Sequence, residues 1–225
     1  MKDLNLKQQA YDYLKTKILN CEIKPGEYIS EKDILESAEI GRTPFREAII
    51  MLQAEHLVEV RPRHGTFSTR LTRTDVIEVF SMRKMLEPVA VFTYLNRIDV
   101  SKLLENDRLM ERLSKNAEEV PASELCKTDM AFHSFFIENS GNSRLSRLLN
   151  PVFQDAYRIS MFNNWFTNTR GRTWKETYDH HHLILQAIFK EDKQEIVSTY
   201  NTHLNYYLAS ALATIDLYEK EHGSD

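Results

Sequence analysis

The length, composition and charge of the chain exclude several classes of protein. The sequence has 225 residues, of which 42% are hydrophobic and 28% charged, with only 6 Gly and 6 Pro. This composition is ordinary for a globular protein and argues against collagen-like, low-complexity or turn-rich all-β chains. The length allows one large domain or two small ones. The formal net charge of −4 lacks the basic excess that is typical of nucleic-acid binders.

The N-terminal segment and the apolar runs predict a cytoplasmic protein with no membrane partner. Residues 1–7 lack the apolar core of a secretory signal peptide. No run approaches the roughly 18 apolar residues of a membrane span. Cys21 and Cys126 do not form a C-x-x-C pair, which favours buried thiols in a reducing compartment over a disulfide scaffold.

Gly and Pro breaks divide the chain into two regions. Three such breaks interrupt the first 65 residues, whereas long helical patterns follow residue 70. The change from frequent breaks to long helical patterns predicts a domain boundary near Leu71-Thr72. We therefore expect a smaller domain over residues 1–72 and a larger helical domain over residues 73–225.

The first region predicts three helices followed by a β-hairpin. Apolar residues recur at helical spacing over 9–20, 31–38 and 43–55. Ser30 is the expected N-cap of the second helix, and Thr43, followed by Pro44, that of the third. Alternating residues at 57–60 and 66–69 predict two strands. Two short helices with a tight break and a hairpin form a winged helix-turn-helix.

The second region predicts an all-α antiparallel bundle. Helical spacing predicts six helices, over 74–97, 100–117, 122–139, 143–164, 173–191 and 193–220. Pro88 and Pro151 lie inside two of these helices, where proline kinks the backbone. The predicted fold class is therefore mainly α, with an N-terminal winged helix-turn-helix and a C-terminal helical bundle.

The start of the third helix and the hairpin tip carry side chains suited to DNA. In helix-turn-helix docking, the first residues of the recognition helix meet base edges, and Arg suits bidentate contact with guanine. Thr43 offers a hydroxyl and free helix-start N–H groups to a phosphate. The predicted DNA-contacting residues are Lys32, Arg42, Thr43, Arg46, Arg63, His64 and Gly65. The alternative is that these residues form a solvated basic surface with no role in DNA binding. The combination of this helix start with the hairpin, the wing of the winged helix, disfavours that alternative.

Four polar residues face the apolar core expected in the second region. Asp129 and His133 are four apart and share one helix face. His181 and His203 lie on apolar stripes at equal sequence distances before and after the turn at Asp192, so an antiparallel hairpin places them side by side. Three histidines and one carboxylate suit a divalent transition metal, with Zn²⁺ preferred and Ni²⁺ or Mn²⁺ as alternatives. A single histidine on an apolar stripe is more often a core residue than a metal ligand, but the agreement of four positions favours the metal site.

The first 70 residues resemble the winged helix of GntR-family bacterial transcription factors. Residues 41–49, Gly-Arg-Thr-Pro-Phe-Arg-Glu-Ala-Ile, are close to the family motif Ser-Arg-Thr-Pro-Val-Arg-Glu-Ala-Leu, and Pro62 to Phe67 matches Pro-x-x-Gly-x-Phe. His56 stands where the family has a Gly that ends the helix in a left-handed conformation. The resemblance implies operator contacts by Arg42, Thr43 and Arg46, with support from Lys32, His64 and Gly65.

The second region resembles the FCD effector domain of the FadR branch of this family. Asp-x-x-x-His at 129–133, a His before Ile-Leu-x-Ala-Ile at 184–188 and His-Leu at 203–204 carry the resemblance. Six helices suggest the shorter, VanR-like form. The resemblance implies that Asp129, His133, His181 and His203 hold a metal. It also implies that Arg83, within an Arg-x-x-Leu-Glu segment, holds an anionic effector, the alternative being an i,i+4 ion pair with Glu87.

These features together predict a homodimeric bacterial transcription regulator in the cytoplasm. The winged helix-turn-helix of residues 1–72 is expected to bind double-stranded operator DNA. The helical domain of residues 73–225 is expected to dimerise and to bind a small carboxylate-bearing metabolite through Arg83 and a metal. One alternative is a regulator with a metal-free pocket. Another is a metal-dependent hydrolase, for which no separate general base or nucleophile stands out. Residues 1–72 hold 11 basic and 11 acidic residues, so the net charge of −4 belongs to the helical domain.

Overall fold

The computed structural model of the protein describes residues 2–97, 99–167 and 170–223. The chain separates into two compact units, Met1–Leu71 and Thr72–Asp225. Within the described ranges the secondary structure is helical apart from a two-stranded sheet and an isolated bridge, which confirms the predicted fold class. None of the described helices is both long enough and apolar enough to span a membrane.

The first unit is built from three helices and a hairpin. Its elements are α1 (Lys2–Leu19), α2 (Glu31–Ser37), α3 (Arg42–Ala54), β1 (Val58–Arg61) and β2 (Gly65–Ser68). The strands pair antiparallel, with Val58 opposite Ser68. Leu14, Ile34 and Leu52, one from each helix, belong to a buried apolar core. The core holds α2 and α3 in the helix-turn-helix arrangement that the sequence predicts, since burial of these apolar faces stabilises their packing.

The start of α3 corrects the prediction that Thr43 caps this helix. The helix begins at Arg42, and Gly41 is the N-cap, with extended backbone (φ −82°, ψ 167°) and no side-chain cap hydrogen bond. Thr43 therefore lies in the first turn. Pro44 is tolerated there because the N–H groups of a first turn have no partner within the helix. Ser30 does cap α2, since its hydroxyl accepts a hydrogen bond from the Asp33 backbone N–H.

The second unit contains the six predicted α-helices within its described residues. They are α4 (Arg73–Thr93), α5 (Val100–Lys115), α6 (Ala122–Glu138), α7 (Ser143–Thr167), α8 (Arg170–Phe189) and α9 (Lys193–His222). α4 is shorter than predicted, because the chain tightens into a 3₁₀ turn over Leu95–Arg97. Pro88 and Pro151 lie inside α4 and α7, as predicted.

Packing among these helices creates the interior in which the candidate site lies. α9 packs against α4, α7 and α8, while α6 packs against α4, α7 and α8. The Asp192 side chain caps α9 by accepting hydrogen bonds from the Gln194 and Glu195 backbone N–H groups. This cap fixes the turn between α8 and α9, so that the two helices run back along each other. Inward-facing side chains of α4, α6, α8 and α9 consequently meet.

We expect His56→Gly to raise the free energy of unfolding by about 0.5–1 kcal/mol. His56 follows α3 with φ +57°, a left-handed conformation that costs a non-Gly residue energy, partly offset by the greater unfolded-state freedom of glycine. Urea denaturation measures the change. Gln53→Gly, at an exposed position inside α3, is the control and should lower the free energy by about 1 kcal/mol. Equal losses in both variants would contradict the interpretation.

Candidate functional site

Asp129, His133, His181 and His203 lie together in the interior of the second unit. α6 supplies Asp129 and His133 one turn apart, and α8 and α9 supply one histidine each. The three histidines are 1% exposed and Asp129 is 7% exposed. One potential ligand atom from each residue lies within 4.8 Å of the others. The fold thus brings together all four residues that the sequence suggests as metal ligands.

The distances among the three histidine Nε2 atoms suit a metal coordination shell. They are 3.1 Å for His133 to His203, 3.2 Å for His133 to His181 and 3.3 Å for His181 to His203. Bonds of about 2.0–2.1 Å from zinc to nitrogen place neighbouring ligand atoms about 2.9 Å apart in an octahedron and about 3.3 Å apart in a tetrahedron. Asp129 Oδ1 lies 3.2 Å from His181 Nε2. The four residues therefore fit a divalent transition metal and can hold one.

Burial favours the neutral, metal-binding form of His181 and His203. It lowers the pKa of His181 to about 4, against the opposing hydrogen bond and charge of Asp129. Burial also lowers the pKa of His203 well below its usual range, with the charges of His181 and His133 adding to the effect. For Asp129, burial raises the pKa, but the His181 hydrogen bond and neighbouring charges outweigh it, so the pKa is lowered. Neutral imidazoles and a carboxylate are the forms that coordinate metal.

Arg83 and Glu87 of α4 form a buried ion pair beside this cluster. Arg83 Nε donates to Glu87 Oε1 at 2.6 Å, and His133 Nδ1 donates to Glu87 Oε2 at 2.7 Å. Burial raises the pKa of Glu87, but the charges of Arg83 and His133 outweigh it, so the pKa is lowered. The ion pair that the sequence offered as the alternative for Arg83 is thus present. Even so, Arg83 Nη2 is buried with no hydrogen-bond partner among the described residues, which leaves a donor for an anion.

A small cavity adjoins the cluster and the arginine. It encloses about 360 Å³, counted with its open mouth. Its lining combines charged and metal-ligand side chains with apolar and hydroxyl groups: Phe80, Arg83, Asp129, Met130, Ala156, Ile159, Ser160, Asn163, His203, Tyr207 and Ala211. Tyr207 was not predicted from the sequence as a site residue, although it lies one turn beyond His203 on the same apolar stripe. The contact of Glu87 with His133 was not predicted either, because no local pattern reveals it.

The residues predicted to contact DNA lie in two exposed places of the first unit. Arg42 begins α3 with a side chain 79% exposed, 3.9 Å from Glu31. Lys32, Thr43, Arg46, Arg63 and His64 are also exposed, on α2, α3 and the hairpin turn. Ile50 was not found from sequence, although it is 66% exposed and follows Arg42 and Arg46 at four-residue spacing on α3. This face of α3 therefore presents two guanidinium groups and one apolar side chain to solvent.

The structure gives Gly65 a role in the hairpin itself. Its φ is +109°, and a Cβ at this position would lie 2.5 Å from Cε2 of Tyr28. Glycine is therefore needed for both the backbone conformation and the contact with Tyr28. Arg61, which precedes the turn, lies over the Phe67 ring at 4.4 Å and pairs with Glu59. The side chains of Arg63 and His64 in the turn are exposed.

Comparisons with known proteins agree with this architecture. Residues 6–67 match the model of bacterial regulatory proteins of the gntR family, and residues 78–206 match the FCD domain. YdhC, an uncharacterized HTH-type transcriptional regulator of Bacillus subtilis, is 28% identical over 199 residues, or 88% of this chain and 87% of its own. The gluconate operon transcriptional repressor of Bacillus subtilis is 26% identical over 201 residues, or 88% and 80%.

Solved structures share the fold. A GntR transcriptional regulator from Rhodococcus sp. RHA1 has a TM-score of 0.77 at 21% identity, over 92% of this chain and 97% of its own. McbR/YncC of E. coli has a TM-score of 0.76 at 20% identity, over 95% and 98%. The family and the curated relatives are transcriptional regulators, not enzymes. The chain therefore belongs to the GntR family of bacterial DNA-binding transcriptional regulators, with an FCD domain following its winged helix.

Proposed function

We propose that the chain is a cytoplasmic homodimer whose affinity for operator DNA is set by a small carboxylate-bearing metabolite. The metabolite binds in the FCD pocket beside a divalent metal, Zn²⁺ in preference to Ni²⁺ or Mn²⁺. One observation carries the proposal: a buried cluster of three histidines and Asp129 lies next to a buried arginine with an unpartnered donor, Arg83 Nη2. The cluster favours a metal cation, the arginine favours an anion, and residues of both line the same cavity.

The chain's own residues account for selection of the metabolite. A bound metal would supply positive charge and open coordination positions for a carboxylate. Arg83 Nη2 donates a second, directional contact to the anion, and charge-assisted bonds of this kind are the strong ones. The cavity is small and open to solvent, which favours a small metabolite. Its apolar lining from Phe80, Met130 and Ile159 disfavours large, fully hydrated ligands.

The first unit supplies the DNA-binding half of the mechanism. Arg42 and Arg46 read base edges from the start of α3, and Thr43 and Lys32 contact phosphates. Arg63, His64 and the Gly65 backbone contact DNA from the wing. Homodimerisation belongs to the proposal because helix-turn-helix regulators read two half-sites with two such units. The effector shifts the dimer between two spacings of its winged helices, one from each protomer. This requires the effector to bind the two states of the dimer with different affinities.

The metal site predicts a metal content of about one ion per chain. Elemental analysis of the purified protein measures it, and Asp129→Ala combined with His203→Ala should abolish it because both ligands are lost. His182→Ala is the matched control, since His182 pairs with Asp107 outside the cluster. Full metal content in the double variant would refute this site. A metal-free wild type that still responds to organic acids would instead support a pocket in which the histidines bind effector directly.

The arginines of α3 are expected to carry sequence discrimination. Duplexes selected from a random-sequence library by the wild type serve as probes. Arg42→Ala and Arg46→Ala should each weaken DNA binding by about 1–3 kcal/mol and relax the base preference at one position of the duplex. Lys32→Ala should weaken binding to all duplex sequences alike and reduce the salt dependence of binding. Lys17→Ala is the control, because Lys17, on α1, pairs with Glu22 just beyond the end of that helix. Unchanged affinity in both arginine variants would contradict the interface.

Coupling between the two units is tested by titration with organic acids. An acid that raises the melting temperature of the chain should change its affinity for the selected duplex in a gel-shift assay. Arg83→Ala should lose both effects, since it removes the anion's directional donor. If every stabilising acid leaves DNA affinity unchanged, the pocket does not regulate DNA binding.

A further inference from the structure

Glu87 lies between the candidate metal ligands and the candidate anion-binding arginine. It is 1% exposed on α4, and its two carboxylate oxygens accept from different donors. Oε1 accepts from Arg83 Nε at 2.6 Å, and Oε2 accepts from His133 Nδ1 at 2.7 Å. These are charge-assisted bonds in a buried setting, where such bonds are strong and directional. A single rigid group therefore links the two functional halves of the pocket.

The bond from His133 to Glu87 fixes which ring nitrogen carries the proton. A carboxylate only accepts, so Nδ1 of His133 is the donor and Nε2 keeps its lone pair. Nε2 is the atom that lies 3.1 Å from His203 Nε2 and 3.2 Å from His181 Nε2. A carboxylate behind a metal-binding histidine orients the ring and raises its basicity. Glu87 thus turns the lone pair of His133 toward the centre of the cluster.

We propose that Glu87 is a positioning residue that couples the metal half of the pocket to its anion half. The inference rests on the proposed metal and effector functions of this pocket. The carboxylate that orients His133 also holds the Arg83 guanidinium, whose Nη2 has no hydrogen-bond partner among the described residues. A change in the position of either donor alters the bond available to the other. Binding of metal and binding of anion are therefore linked, and such linkage is reciprocal.

Two substitutions separate positioning from charge. Glu87→Gln keeps the size but offers one accepting oxygen and one donating amide, so it satisfies only one of Arg83 and His133. Glu87→Asp keeps the charge and both oxygens but is about 1.5 Å shorter, so it does not span the two donors. Glu78→Gln, at an exposed position on α4, is the matched control.

Zn²⁺ affinity of the chelator-treated full chain, measured by competition with a chromophoric chelator, is the first readout. We expect Glu87→Gln and Glu87→Asp both to weaken Zn²⁺ binding by about 10- to 100-fold, with Glu78→Gln unchanged. Wild-type affinity in Glu87→Asp would show that charge alone acts and would overturn the proposal.

The Arg83→Gln variant tests the coupling by the sign of its effect. Loss of a positive charge near the cluster should by itself strengthen Zn²⁺ binding. Loss of the second anchor of Glu87 should weaken it, because the carboxylate then no longer holds His133 in place. We expect weaker binding, by several-fold, and stronger binding would overturn the coupling.

The protonation site of His133 is the readout that does not depend on metal. Nitrogen-15 NMR of the metal-free, histidine-labelled chain, with His133 assigned through His133→Gln, distinguishes the two tautomers. We expect the Nδ1–H form in the wild type and a loss of this preference in Glu87→Asp. An Nε2–H form in the wild type overturns the proposal even if the variants fold poorly. A chain that binds no Zn²⁺ refutes the proposed metal site, whereas the tautomer still decides the role of Glu87.

Discussion

The apolar interior of the second unit holds several ionisable groups away from water. The stability of the unit depends on the contact of each of these groups with a neighbour of complementary charge or hydrogen-bonding character. Arg83, Glu87 and Asp129 are all less than one-tenth exposed, and an isolated buried charge costs several kcal/mol. Each has a neighbour of complementary character: Arg83 has Glu87, Glu87 has His133, and Asp129 has His181. These residues stabilise the fold only together, because removal of one of them leaves another buried charge without its partner.

This compensation also explains how the pocket can favour both a metal and an anion. The Nε2 atoms of three imidazoles converge within 3.3 Å, where a divalent cation would be coordinated by all three. Such a cation would add positive charge beside Arg83, and Nη2 of that arginine has no hydrogen-bond partner among the residues that the structure describes. A carboxylate that enters the cavity meets both charges in a region of low dielectric, where electrostatic attraction is stronger than in water. A metal held by α6, α8 and α9 would likewise stabilise their packing.

The success of the sequence predictions depends on whether the determining contacts are local. Asp129 and His133 share a face through helical periodicity, and His181 and His203 meet because one turn relates their two helices. The contact between Glu87 and His133 spans 46 residues and arises from the packing of α4 on α6, which no spacing rule contains. Thr43 was misplaced as a cap because Gly41 and Pro44 give competing signals for the start of α3.

The β1–β2 hairpin shows the same distinction between local and long-range contacts. Its strands and turn follow from residues adjacent in sequence, but the need for glycine at position 65 also comes from Tyr28, a distant residue whose ring occupies the space of a Cβ. Exposed groups such as Arg42 can be found from a motif, because their proposed role depends little on other parts of the fold. Some buried groups acquire their chemistry from partners on other helices, as Glu87 does from His133. For Arg83, the same ion pair that seemed to exclude an effector role leaves one donor unpartnered among the described residues, and that donor is now held in a defined direction by Glu87.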